Sequence, residues 1–204
     1  MHRYHWKLLP WPSLALCAAL LALLPCVVSF RYLGFQEVAT IGECFAPLVG
    51  TLLFTPLAFC EGHVGRREAL GARPVPYARG FGARLALMLA MTALASAAFV
   101  GIAAARAHRF AWFPMGAGLL VTMLLYGGLG LTTGHLLHNQ AAAYLLPLAV
   151  FALEFFTRGQ YTGRFFTLSL MRGALQPEKW MLGAAALVLL GGNVALCARQ
   201  LRLA

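Results

Sequence analysis

The chain has 204 residues, of which 61% are hydrophobic and 11% charged, whereas a soluble domain runs at about 45–50% and about 25%. Its 16 Lys+Arg stand against 6 Asp+Glu, a formal charge of +10, and its mean hydropathy is +0.75. These values exclude a disordered chain and an ordinary soluble enzyme and, because the basic residues are scattered between apolar runs, weaken a nucleic-acid reading; they leave an integral membrane protein of one domain, 1–204, with an all-α fold expected from its apolar spans.

The chain opens on Met1–Trp11, where Tyr4, Trp6, Leu8, Leu9 and Trp11 alternate with Arg3 and Lys7. Two readings stand side by side: an amphipathic piece lying on the membrane surface, or a basic tail that only fixes orientation. The basic start followed by an apolar run imitates a signal peptide. No A-x-A-like site follows, however, and Pro25 precedes Cys26, so the segment is expected to be retained.

A helix needs about 20 mostly apolar residues to cross a bilayer, because each residue rises ~1.5 Å and lipid satisfies no backbone group. Six stretches meet or approach this: Ser13–Phe30, Ile41–Cys60, Ala83–Ala105, Phe113–Leu137, Ala141–Phe156 and Trp180–Ala198. Trp6, Trp11, Trp112 and Trp180 all fall at span edges, where an indole is half buried with its N–H wet. The five cysteines, Cys17, Cys26, Cys44, Cys60 and Cys197, form no CxxC and sit in or beside apolar runs, as free thiols acting as small hydrophobes do.

Orientation follows from Glu61–Arg84, which holds Arg66, Arg67, Arg73, Arg79 and Arg84 and is therefore expected in the cytoplasm. Six spans then place both termini there too. The sides carry nine and seven basic residues, so density in this linker decides the orientation. On the other side Thr157–Lys179 is too polar to cross, yet Phe165, Phe166, Leu168, Leu170, Met171 and Leu175 give it an apolar side. It is read either as a short outward-facing helix dipping into the interface or as a plain loop.

Polar groups inside apolar spans cost about 2.5–3.5 kcal/mol on insertion scales and are usually paired or functional. Glu43 is placed at the start of the second span, in the headgroup layer. Glu154 has Arg158 four residues on, sharing a helix face; the two form either a pair at the outer rim or, with Phe155, part of an outer gate or substrate path. His135 and His138 lie at i, i+3 before Asn139 and Gln140. With no carboxylate or cysteine near them in sequence they are too few for a metal, and no metal site is assigned. Gly130 and Gly134 form a GxxxG that permits close helix approach, at a seam between two copies of the chain or within one. Pro25, Pro47, Pro56 and Pro147 interrupt spans.

The segment EGHVGRREALGARPVPYARGFGARL, from Glu61 to Leu85, resembles the linker of type-2 ABC exporter permeases. There an acidic residue is followed by a Gly-Thr-x-Glu-x-Leu stretch, a Pro-Val-Ser-Arg stretch and a Lys leading into the third helix. Glu61 takes the acidic place, Gly65, Glu68 and Leu70 match the first stretch, Pro74 and Val75 the second, and Arg84 stands for the Lys. Arg66 replaces the Thr, and Pro76-Tyr77 the Ser-Arg. Counting spans and loops, the resemblance covers nearly the whole chain.

The resemblance implies a short coupling helix that docks into a separate ATP-binding subunit. Glu61, Arg66, Arg67, Glu68 and Arg73 would supply orienting charge, Val64 and Leu70 apolar contact, and Gly65 lies in the matched stretch. Gly71, Pro74 and Pro76 would end that helix. Without the resemblance, the same residues read as a positive-inside loop on lipid headgroups.

The chain contains no G-x-x-x-x-G-K-[ST], so ATP and Mg belong on the partner and no catalysis is assigned here. A second permease copy or paralogue, membrane lipid and a bacterial-type plasma membrane are implied as well. The resulting expectation is an ATP-driven exporter permease working by alternating access. Its rivals are an integral membrane enzyme using Glu154, His135 and His138, and a membrane scaffold that moves nothing.

Overall fold

A computed structural model describes residues 10–28, 33–59, 77–106, 111–173 and 176–200. Six α-helices occur among them: α1 (Trp11–Val27), α2 (Phe35–Phe59), α3 (Tyr77–Arg106), α4 (Trp112–Leu137), α5 (Gln140–Thr157) and α6 (Glu178–Gln200). Two short 3-10 turns, Gly163–Phe165 and Ser169–Arg172, lie between α5 and α6, and no strand occurs among the described residues. Five of the helices are long and apolar enough to cross a membrane; α1, with 17 residues, is apolar but shorter. The expected coupling helix, Glu61–Arg73, and the N-terminal segment up to Leu9 lie outside the described residues.

Local chemistry sets the helix ends. Pro12 occupies the second position of α1, where a missing N–H costs nothing. Between α4 and α5 the chain reverses in two residues. His138 caps α4 in the left-handed conformation with φ 53, its N–H donating to Gly134 O at 3.1 Å. Asn139 then caps α5, its Oδ1 accepting from the N–H groups of Ala141 and Ala142 at 2.9 and 3.3 Å.

α4 is the hub, packing on α2, α3, α5 and α6. Its seam with α2 runs through glycine on both sides. A Cβ on Gly50 would stand 2.1 Å from the carbonyl oxygen of Met123, and one on Gly127 would stand 2.9 Å from that of Gly50, so the two backbones are in direct contact. The matched contacts Gly42–Leu119, Gly50–Met123 and Gly134–Ala58 show α2 and α4 running parallel. Gly128–Leu189 and His135–Asn193 do the same for α4 and α6. Gly130 and Gly134 thus face neighbours within one chain: Gly130 meets Thr55 and the carbonyl of Ala143, and Gly134 meets Ala58 and Phe59. Pro147 has no N–H to give that Ala143 carbonyl, and Gly130 lets α4 close over it.

Most hydroxyls in the helices are satisfied locally. Those of Thr92, Thr122, Thr132 and Thr133 donate to the carbonyl four residues back. Ser96 instead donates to Gly116 O at 2.9 Å, tying α3 to the start of α4.

Candidate functional site

The chain between α5 and α6 folds into one end of the bundle. Phe166, Leu168 and Leu170 are buried there, while Tyr161 and Phe165 stay exposed. An outward-dipping helix or a plain loop was expected; the described segment is a pair of 3-10 turns whose apolar side enters the protein core. Three glycines in its described backbone have positive φ, Gly159, Gly163 and Gly173, and bend the chain where a β-carbon is disfavoured.

Beneath this segment lies a buried ionic cluster. Glu43 and Lys179 are 0% and 1% exposed, and the Lys179 Nζ donates to Glu43 Oε1 at 2.5 Å. The same Nζ donates to the backbone carbonyl of Thr167. Met171 N–H donates to Glu43 Oε2 at 3.2 Å, and Gln36 Nε2 donates to Met171 O at 2.9 Å. Glu154, 3% exposed, accepts from Thr167 N–H at 2.9 Å and from the Thr167 hydroxyl. With that proton committed, the Thr167 oxygen accepts from the Tyr126 hydroxyl at 2.7 Å. Thr167 is therefore a junction where helices α4, α5 and α6 converge, with α2 joining through Lys179.

This arrangement corrects the placement of Glu43. α2 begins at Phe35 rather than Ile41, so Glu43 lies about two turns inside the helix and is paired rather than wetted by headgroups. Lys179 lies at the start of α6 and is buried. Glu154 bonds to Thr167, while Arg158 sits at the left-handed C-cap of α5 with φ 50 and lines a separate cavity of about 600 Å³ with Phe155, Gln36, Thr40 and Arg172.

The opposite end of the bundle holds a second polar set. The His135 Nδ1 pairs with Asn193 Oδ1 at 2.7 Å, which fixes Nδ1 as the protonated nitrogen because an amide oxygen only accepts. Asn193 Nδ2 donates to Thr132 Oγ1 and to Leu189 O. Cys197 Sγ lies 3.8 Å from His135 Nε2. His138 is exposed at its helix end, so the two histidines have separate environments. Along α4, Tyr126 and His135 are nine residues apart, about 13 Å of rise, which separates Glu154 from His135. Among the described residues no three His, Cys, Asp or Glu side chains gather as a metal site would need.

Sequence reading missed the Glu43–Lys179 pair, although a signal for it was present. Spans two and six must run in the same direction, so a carboxylate near the start of one and an ammonium at the start of the other lie at the same membrane face. Thr167 and Tyr126 carried no comparable signal.

A contained prediction tests the junction. Replacing Tyr126 with Phe removes one hydroxyl and leaves the ring edge-on to Phe151, at 6.3 Å between centroids. The expected cost is about 0.5–1.5 kcal/mol, the net worth of one hydrogen bond, read as a lowered midpoint of thermal unfolding in detergent. An unchanged midpoint would remove Tyr126 from the network.

Compared with known proteins, the chain matches no family model, no curated protein and no solved structure.

Proposed function

We propose that this chain is the membrane-spanning permease subunit of an ATP-driven exporter of the type-2 ABC kind. The observation that carries the reading is the segment Glu61–Leu85, with its Glu61, Gly65, Glu68, Leu70, Pro74-Val75 and Arg84 pattern, which follows α2 and runs into the first turns of α3, where Arg84 is buried inside the helix rather than ahead of it; both helices are long enough to cross a membrane. Support also comes from the long apolar helices and from the segment 158–173, which packs at the end of the bundle opposite to Phe59 and Phe81, described residues on either side of Glu61–Arg73.

In this reading α1 crosses the bilayer as well, since 17 residues is the lower limit for a span. Six crossings put the linker and both termini in the cytoplasm of a bacterial-type plasma membrane. The linker docks through Val64, Gly65, Glu68 and Leu70, flanked by Glu61, Arg66, Arg67 and Arg73, on an ATP-binding subunit that carries the nucleotide and Mg. Two permease copies or paralogues face one another, and closure of the ATPase pair is passed through the linkers to open the permeases outward.

The test is co-purification with the candidate ATPase. The double substitution Glu68→Ala/Leu70→Ala is expected to weaken assembly at least tenfold, about 1.4 kcal/mol, and to return ATP hydrolysis to the rate of the ATPase alone. Assembly and stimulated hydrolysis at wild-type levels would overturn docking at this linker.

A further inference from the structure

We infer that the cavity between α2, the end of α5 and the segment 158–173 binds a membrane amphiphile with a net-anionic phosphate headgroup, of which phosphatidylglycerol is the type. The inference needs only that the helices lie in a bilayer and holds whether or not an ATPase partner exists.

Four observations point to this ligand. First, the size fits: about 600 Å³ lies inside the range of about 300–1,000 Å³ usual for small-molecule sites. Second, two arginines from separate elements, Arg158 and Arg172, line it, and among the described residues no acidic side chain does. The acidic groups nearest in sequence on α2 are committed elsewhere: Glu37 accepts from Gly34 N–H at 2.9 Å, and Glu43 holds Lys179 and Met171 N–H. A guanidinium pair with no carboxylate beside it among the described residues is matched by the bidentate geometry of a phosphate.

Third, the remaining wall is aromatic. Phe155, Phe156 and Phe166 line the same space, and Phe156 is 81% exposed on the outer surface of the bundle, where an acyl chain would lie. A water-borne anion has no use for that wall, whereas an amphiphile uses both halves. Fourth, the Arg172 side chain is held in place. The Arg172 guanidinium stacks over the Phe166 ring at 4.9 Å, a cation–π contact that leaves its edge N–H groups free to donate. Arg158 occupies a left-handed C-cap, φ 50, where glycine is the less strained choice, and its side chain reaches the cavity.

The experiment is native mass spectrometry of the detergent-purified full-length chain, titrated with phosphatidylglycerol, with phosphatidylcholine of the same acyl chains, and with soluble glycerol phosphate. Phosphatidylglycerol is expected to be retained at least tenfold more tightly than phosphatidylcholine, and glycerol phosphate to show no retention at matched concentration. Arg158→Gln/Arg172→Gln should abolish that tenfold preference, whereas Arg199→Gln/Arg202→Gln, which removes the same charge elsewhere, should keep it. A photoreactive phosphatidylglycerol should label peptides spanning 155–172 in the unaltered protein, a readout independent of how the variant folds. Equal retention of the two lipids, undiminished preference in Arg158→Gln/Arg172→Gln, or labelling confined to other helices would overturn the site. Retention of glycerol phosphate as tight as that of the lipid would overturn the amphiphile in favour of a free phosphate.

Discussion

Lys179→Met is expected to destabilise the protein by about 3–5 kcal/mol, the cost of leaving one member of a buried ion pair uncompensated. In the unaltered protein Lys179 is 1% exposed and gives hydrogen bonds to Glu43 and to the carbonyl of Thr167. Removing it leaves the Glu43 carboxylate in an apolar interior with backbone N–H groups such as that of Met171 but no countercharge, and it frees the Thr167 carbonyl that holds the segment down. The double substitution Glu43→Leu/Lys179→Met removes both charges together. It should recover most of the loss, because well-packed apolar residues replace a buried pair at little or no cost. Thermal unfolding in detergent, followed by circular dichroism, measures both effects. If the double variant is as unstable as the single one, the pair is not what the two residues are there for.

Gly50→Val is expected to disrupt the bundle more severely than any other single glycine substitution on the α2–α4 seam. A Cβ at Gly50 meets the Met123 backbone at 2.1–2.9 Å; no rotamer change relieves a clash with a main chain, so the helices must part. Overpacking of this sort costs about 1–3 kcal/mol and occasionally more. Here the upper end applies, since α4 also packs on α3, α5 and α6 and cannot retreat from α2 without disturbing them. Gly101→Ala is the control: nothing lies within 4 Å of a Cβ there, and in mid-helix alanine should be neutral or stabilising by up to about 1 kcal/mol. Folded yield by size-exclusion chromatography separates the two. Normal yield for Gly50→Val would mean that the seam is looser than its geometry states.

The helices were legible because hydropathy acts over 20-residue windows and needs no partner to be recognised. Ala141–Phe156, the shortest expected stretch, is Gln140–Thr157 in the fold. Helix starts were less legible. Phe35, Gln36 and Glu37 are too polar as a group to join a hydropathy window, yet the chain is helical through them, with Glu37 capping its own first turn through Gly34. That offset moved Glu43 from the membrane edge to the interior. The junction at Thr167 was illegible for a different reason. Each of its bonds is a pairwise contact across the sequence, and a threonine in a polar connection looks the same whether it faces water or a carboxylate. GxxxG at Gly130 and Gly134 was visible as a pattern, but only packing distinguishes a seam within the chain from one between copies.

The pairing of Glu43 with Lys179 spans 136 residues, and this has a consequence for biogenesis. At a synthesis rate of about 5–20 residues per second, the ribosome needs roughly 7–27 s after making Glu43 before it makes Lys179. Throughout that interval the nascent second helix carries a carboxylate with no ammonium to meet it. The polypeptide must therefore keep that end of the helix at the lipid–water boundary, or in the care of the insertion machinery, and draw it inward only when the last helix arrives. Truncation upstream of Lys179 should consequently leave a polypeptide that quality-control proteases clear quickly, while one cut a few residues after Cys197 persists.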